Sequence, residues 1–564
     1  MKNLSKIFSI LFLLAGLFIL ASCSKGTGIN GELSYVARRT ELEVTADFEK
    51  NEKLEEENTS VSLKLYTSDE TYKSTKSLKL SNGINGTETF TGLTQNTEYI
   101  IKLFVSYEGE EEEINSITAK TTNTGDSEES AKVISTADEF LAIKDDAEGY
   151  YKLANDIDFE EATVSLFTAY TSGFKGTFDG NGHTISNIKL SVAESTGVFG
   201  TLDGATIKNL KIDNVALAPS TTVKWAGAVA GYVKNSTIEN VEVSNFTIDN
   251  KTASQSAHSY IGCFIGQALN ADNKENLIKN CKVIDSSITF SDLKVSVLTN
   301  RKQHTTGLFA GAIADMTTIE NCVANGSIDA TIATTNSDTF NIGGFVGVNT
   351  SNKKILSCIT NVNITIKRNL NSAKSNTIKV LNVGGFVGAN TTGYCNVEDS
   401  LAIADIYVGA SATEGDAPTI KLADKAYIGG FVGVFESRST SGIKNCVYQP
   451  KEKGIKIESM PTGSYTLDDD ENITATTYDI LVGITFGKVD SSLASKIINV
   501  YSTENKLTYD IVKAYMSDGD SNADDHIEDA DKLAEIKADI VDTSSVDANA
   551  KNNLSEAIKN YSFN

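Results

Sequence analysis

Between about residues 31 and 122, apolar and polar residues alternate in short runs such as Val61-Ser-Leu-Lys-Leu-Tyr66 and Tyr99 to Val105. A period of two predicts half-buried strands. Beyond residue 190 the pattern changes to a short apolar block held between glycines. It occurs as Gly227-Ala-Val-Ala-Gly231, Gly262-Cys-Phe-Ile-Gly266, Gly307-Leu-Phe-Ala-Gly311, Gly343-Gly-Phe-Val-Gly347, Gly384-Gly-Phe-Val-Gly388 and Gly429-Gly-Phe-Val-Gly433. A shortened copy, Gly197-Val-Phe-Gly200, precedes these, and a degenerate one, Gly483-Ile-Thr-Phe-Gly487, follows. Closing glycines at 200, 231, 266, 311, 347, 388, 433 and 487 are spaced by 31 to 54 residues. That range predicts a solenoid, in which each unit buries its apolar face only against the next.

After most glycine blocks comes a short strand: Ile207-Lys-Asn-Leu-Lys-Ile, Ile238-Glu-Asn-Val-Glu-Val, Ile278-Lys-Asn-Cys-Lys-Val, Ile319-Glu-Asn-Cys-Val-Ala or Ile443-Lys-Asn-Cys-Val-Tyr. Strict alternation would send the leading Ile to one face and the later apolar pair to the other. For all to be inside, the strand must bend near Asn, and stacked asparagines there can bond into a ladder. Cys281, Cys322, Cys358 and Cys446 share one slot with Leu210, Val241 and Val500, so that slot points inward and its thiols are buried. The same cysteines have no CxxC spacing and no nearby His, which argues against a metal site. At about 4.8 Å per rung, eight coils stack to roughly 40 Å.

The N-terminus has Lys2 and Lys6 before an apolar run from Ile7 to Ala21. That run is short for a membrane-spanning helix and suits an export signal. Its end, Leu20-Ala21-Ser22-Cys23, resembles the lipobox of bacterial lipoproteins. The resemblance implies cleavage before Cys23 and acylation of that residue, a stable anchor when two or three chains are attached. It implies a bacterial envelope location, the outer membrane or cell surface where the cell has two membranes.

Phe90-Thr-Gly-Leu93 to Tyr99 resembles the corner of fibronectin type III domains, where a tyrosine hydroxyl ties the turn down. Asn82-Gly and Asn85-Gly read as turns between its strands. Ser135-Thr-Ala-Asp138 reads as a capping box opening a short helix that closes the first coil. Tyr151 to Leu190, with Asp156-Ile-Asp158 and Phe178-Asp-Gly-Asn-Gly-His183-Thr-Ile, together with the glycine blocks, resembles bacterial surface proteins carrying GLUG repeats. These include adhesins and some immunoglobulin A metallopeptidases, and the resemblance implies a right-handed β-helix. The organisation expected is a lipoprotein signal peptide (1–22), tether (23–30), fibronectin III-like sandwich (31–122), linker (123–132), GLUG-repeat β-helix (133–515) and an acidic, partly helical C-terminal cap (516–564), with helices over 529–540 and 547–561.

The net charge of −24 argues against nucleic acid as a partner. No His-Glu-x-x-His occurs, and the four histidines, His183, His258, His304 and His526, are scattered, so the zinc-peptidase helix is missing. Asp179-Gly-Asn-Gly-His183 reads as a tight turn and not a catalytic motif. Asp518-Gly-Asp520-Ser-Asn522-Ala-Asp524 to Asp529 half matches a calcium loop but lacks its sixth-position Gly and final Glu. No cofactor or metal is implied. The expectation is a non-enzymatic, lipid-anchored surface protein, held to the membrane through Cys23. It would bind a protein or glycan ligand through loops projecting near 285–306, 362–382 and 403–427. A carbohydrate-active β-helix enzyme working around Asp156, and a purely structural envelope protein, are the alternatives. Clustered carboxylates in a groove would favour the enzyme; exposed aromatics such as Tyr260 or Tyr427 would favour binding.

Overall fold

The computed structural model describes residues 27–563 except 123–124, 126, 220–222, 251–253, 256–257, 271–273, 296–302, 335–338, 370–377, 412–422, 437–441, 459–461, 465–476, 479, 510–513, 517–525, 528–529, 532–533, 535–536 and 539–540. Cys23, the acidic residues of the half-matched calcium loop and the central parts of the expected projecting loops (296–302, 370–377 and 412–422) therefore lie outside the described residues, as does part of the helix expected at 529–540. The chain separates into two compact units, 1–132 and 133–564.

The first unit holds two small antiparallel sheets. Gly31–Ala37, Leu42–Phe48 and Asn85–Phe90 form one; Tyr72–Leu78, Ser60–Thr67, Glu98–Tyr107 and Glu110–Lys120 form the other. Leu42, Val44, Leu63, Ile101 and Leu103 face a common core. The Thr94 N–H donates to the Tyr99 hydroxyl at 2.9 Å, fastening the corner. Only one of the two expected turns forms. Asn82 and Gly83 are left-handed, with φ of 52° and 73°. Asn85-Gly86 instead opens a strand, and a Cβ on Gly86 would fall 2.7 Å from the Lys79 carbonyl oxygen.

The second unit is a right-handed parallel β-helix. Each coil passes through three parallel walls. In one coil the second-wall strand Thr339–Gly343 turns into the third-wall strand Val346–Ser351. The chain then runs through Lys354–Leu356 and Ile359–Asn369 of the first wall. The Gly-x-Phe-x-Gly block is the corner between the second and third walls. Here Phe264, Phe309, Phe345, Phe386 and Phe431 stack in the interior with centroids 4.6 to 4.9 Å apart and planes within 14°. Val229 and Thr485 occupy the same slot at either end, by the hydrogen bonds that link successive corners.

The first wall bends where expected. Asn209, Asn240, Asn280, Asn321, Asn445 and Asn499, with Ser357 and Asp399, all have φ between 48° and 55°. Asn tolerates this left-handed region better than other side chains. The amides bond rung to rung: Asn240 Nδ2 donates to Asn209 Oδ1 at 3.1 Å, Asn321 to Asn280 at 3.4 Å and Asn499 to Asn445 at 3.0 Å. A second ladder, five residues further along each coil, was not anticipated. Asn187, Asn214, Asn245 and Asp285 are left-handed there, and Asn214 donates to Asn187 at 2.6 Å. Its signal was the recurrence of Asn or Asp at that fixed offset.

The inward cysteine slot holds. Cys281, Cys322, Cys358 and Cys446 are fully buried thiols, and Ser400, overlooked in the sequence, fills the remaining rung and donates to the Glu398 carbonyl. Burial pushes the Cys395 thiol up to about 12 and that of Cys263 higher still.

Helix Ala137–Leu141 drives Phe140 into the open first coil, with ring contacts to Phe159, Phe178 and Phe199. Its N-cap is Thr136, one residue later than expected. The Thr136 Oγ1 accepts from the Glu139 N–H at 3.2 Å, and the Glu139 carboxylate accepts from the N–H groups of Thr136 and Ser135.

The helix expected over 547–561 is broken into Ala550–Asn553 and Glu556–Lys559. Leu554 is extended, and the Ser555 N–H is held by Asp399 at 2.7 Å. These turns lie along the outside of the first wall. Ala550, Leu554 and Ile558, with Tyr561 and Phe563, cover an outward column formed by Val323, Ile359, Leu401, Val447 and Tyr501.

Candidate binding surface

The carboxylates of the first coil serve the backbone. Asp156 accepts from the Thr184 N–H at 2.8 Å and lies 3.2 Å from His183 Nδ1. Asp158 accepts from the Glu160 N–H and from Asn187 Nδ2, each at 2.8 Å, and so begins the second Asn ladder. These N–H donors hold both acids below the ordinary carboxylate range. Asp179 accepts from the Asn181 N–H at 2.8 Å and from Asn209 Nδ2 at 3.1 Å, starting the first ladder. Asn181 and Gly182 are left-handed and the His183 N–H closes on the Gly180 carbonyl at 2.8 Å, so the segment is a tight turn. Among the described residues no group of three or more His, Cys, Asp or Glu is placed to hold a metal.

Two columns of side chains meet in the outside angle between the second and third walls. The second-wall column runs Trp225, Tyr260, Thr305, Asn341, Asn382, Tyr427, Leu481. The third-wall column runs Tyr232, Gln267, Ala312, Val348, Ala389, Val434, Lys488. Tyr427 is not the exposed aromatic expected. It is 8% exposed, packed on Ala389 and Val434 outside the main core, with Lys488 Nζ 4.7 Å above its ring. Tyr260 is half-buried, and that burial raises its hydroxyl pKa. The exposed ring of this region is Tyr170, 45% exposed and 5.8 Å from Trp225. Trp225 donates through Nε1 to Gln267 at 2.6 Å and has Lys224 Nζ 3.9 Å above it. Sequence reasoning passed over this group because its members lie on three separate rungs.

The connections between first and second walls share one edge. First-wall strands Lys282–Val295, Val323–Thr334, Ile359–Asn369 and Leu401–Ser411 pair in parallel almost to their ends. The returning strands Gln303–Gly307, Thr339–Gly343, Ile378–Gly384 and Ala423–Gly429 do the same. The four connecting segments thus leave from stacked positions. Near these strand ends Ile332, Ile366 and Val408 keep the interior apolar.

The fold defines the class: an all-β chain whose larger unit is a right-handed parallel β-helix. Residues 125–245 match the family described as the N-terminal region of M26 IgA1-specific metallo-endopeptidases. A stretch of 108 residues is 34% identical to halomucin of Haloquadratum walsbyi, covering 19% of this chain and 1% of that protein. The structure of a Yersinia enterocolitica family 28 exopolygalacturonase aligns over 85% of this chain and 97% of that one. Its identity is 9% and its TM-score 0.13, too low to establish a common fold.

Proposed function

We propose that this is a bacterial envelope protein, acylated at Cys23, whose β-helix of GLUG type binds a ligand through the connections between its first and second walls. The observation that carries the reading is the register of that edge: the strand ends that flank four connections of different sequence are paired rung to rung, about one strand spacing apart. Loops on a rigid scaffold are where binding function concentrates. The engaged state of Asp156, Asp158 and Asp179 supports binding over hydrolysis, which needs two carboxyl groups facing a substrate.

The match over 125–245 keeps an enzymatic reading in view. It concerns an N-terminal region, and the 564 residues contain no His-Glu-x-x-His. The test probes glycan and host-matrix arrays with the full chain and with variants in which 370–377 and 412–422 are replaced by Gly-Ser linkers. Binding that is lost in the variants and leaves ligands intact is the expected result. Cleaved products would overturn it in favour of the enzyme. Cys23→Ser should abolish incorporation of a labelled fatty acid; retained label would refute the anchor.

A further inference from the structure

One part of this edge has the chemistry of a site for a charged ligand. Strand Gly442–Glu458 leaves the regular ladder after Ala404 pairs with Pro450, and pairing resumes only at Ile406 with Ile455. Residues Lys451 to Gly454 therefore bulge outward opposite a single residue, Asp405. The Asp405 carboxylate gathers the bulge: Oδ1 accepts from the N–H groups of Lys451, Lys453 and Gly454, and Oδ2 from those of Glu452 and Lys453, at 2.7 to 3.2 Å. Gly454 ends the bulge with φ of 68°, where a Cβ would lie 2.1 Å from the Lys506 carbonyl oxygen. This loop is built, and it walls a notch of about 740 Å³ on the outside of the β-helix.

The notch is lined by Lys367, Lys451, Lys453 and Lys456. The acids in the lining are Asp405, whose oxygens are taken up by the bulge N–H groups, and Glu452; Glu458, outside the lining, pairs with Lys456 at 2.5 Å. Among the described residues no acid lies within ion-pair distance of Lys367, Lys451 or Lys453. Burial lowers the Lys451 ammonium pKa, a cost an incoming anion would offset. The floor offers Asn363 and Thr365 from one rung and Tyr407 from the next. The Tyr407 hydroxyl donates to Glu458 at 2.5 Å, which holds the ring in place. Gly409, across from Lys367, adds no side chain to the floor.

Two strand spacings across and three alternate residues along make a floor of roughly 10 by 13 Å, the scale of two linked sugar rings. Unpaired ammonium groups, amide and hydroxyl partners and a fixed aromatic ring together suit an acidic saccharide. A long polyanion such as nucleic acid would meet the field of a chain with net charge −24. We propose that this notch binds a short anionic oligosaccharide whose sugars carry carboxylate or sulfate groups. The inference rests on the binding-surface reading above and names the ligand class for it.

Isothermal titration calorimetry on the full-length chain tests it with four probes: a sulfated tetrasaccharide, a uronate tetrasaccharide, a neutral tetrasaccharide and inorganic sulfate. The expected result is saturable binding of a sulfated or uronate probe, and which of the two binds identifies the acidic group. The double variant K367E/K453E changes two exposed residues and should keep the thermal midpoint. It should weaken binding by about tenfold or more, the effect of reversing two charges in a partly screened site. Glu452→Gln should strengthen binding. Equal affinity in wild type and K367E/K453E, or inorganic sulfate binding as well as the saccharides, overturns the proposal. If only a neutral or protein ligand binds, the notch assignment fails and the proposed function stands. If nothing binds in either experiment, both fail.

Discussion

Replacing Phe386 by Ala tests whether the phenylalanine stack stabilises the solenoid as a column. Phe386 is fully buried and faces Phe345 at 4.8 Å and Phe431 at 4.9 Å. Removing a buried Phe side chain costs about 3–5 kcal/mol through lost transfer energy and the cavity left behind. Each stacked ring adds about 0.5–1.5 kcal/mol within that figure. Phe431 has a ring on one side and Thr485 on the other, so Phe431→Ala should cost less by about one such contribution. In a double-mutant cycle, Phe386 and Phe431 should couple by about the same amount. Urea unfolding reads these values through the fluorescence of Trp225, the chain's single tryptophan, which sits in the β-helix unit. Circular dichroism should give the same midpoint where unfolding is cooperative. A Phe386→Ala cost below about 1 kcal/mol would refute the reasoning. So would no coupling with Phe431, which would reduce the stack to ordinary burial.

Gly385→Ala should prevent the coils from stacking, because its Cβ would lie 2.0 Å from the Gly430 carbonyl oxygen. Gly442→Ala, where the nearest atom is 3.4 Å away, should leave the thermal midpoint unchanged. Asn240→Ala should cost about 1–2 kcal/mol for the left-handed backbone and the lost ladder bond, whereas Asn240→Gly should recover much of that, measured by urea unfolding. Asp156 and Asp158 have folded pKa values below the ordinary 3.8, so the stability they add is present above about pH 4 and is lost as pH falls through the folded values. Asp158→Asn should flatten that acid limb, and an unchanged limb would remove the carboxylate from the account. The six described cysteines should resist a thiol reagent in the folded chain and react on unfolding; rapid reaction of any one would contradict its burial.

The repeat was legible because stacking forces each rung to solve the same packing problem. The corner glycines, the phenylalanine slot, the Asn bend and the cysteine slot all recur at corresponding places, and each was readable from a few copies. What escaped notice depends on relations between rungs. The Trp225 group draws residues from three coils, and the lysine notch depends on a bulge of Lys451 to Gly454 that looks in sequence like any polar stretch. Tyr427 was misjudged because an outward residue on a flat wall is exposed, whereas one in the angle between two walls is covered. The shift from Ser135 to Thr136 at the first helix shows the other limit, since two neighbouring hydroxyl residues satisfy the same capping rule.

The outward column of the first wall reads Lys211, Glu242, Lys282, then Val323, Ile359, Leu401, Val447 and Tyr501, changing from charged to apolar along the stack. The apolar stretch is the part the C-terminal turns lie against. Repeats that share one packing solution invite gain or loss of whole coils, and a bare stack would accept either. Here the tail acts as a ruler. Losing one coil between Val323 and Val447 would slide Leu554 and Ile558 off their rungs and bring apolar side chains of the tail against Lys282. Gaining one would leave an uncovered apolar rung in solvent. The segment over 550–563 thereby ties itself to the number of coils it lies against.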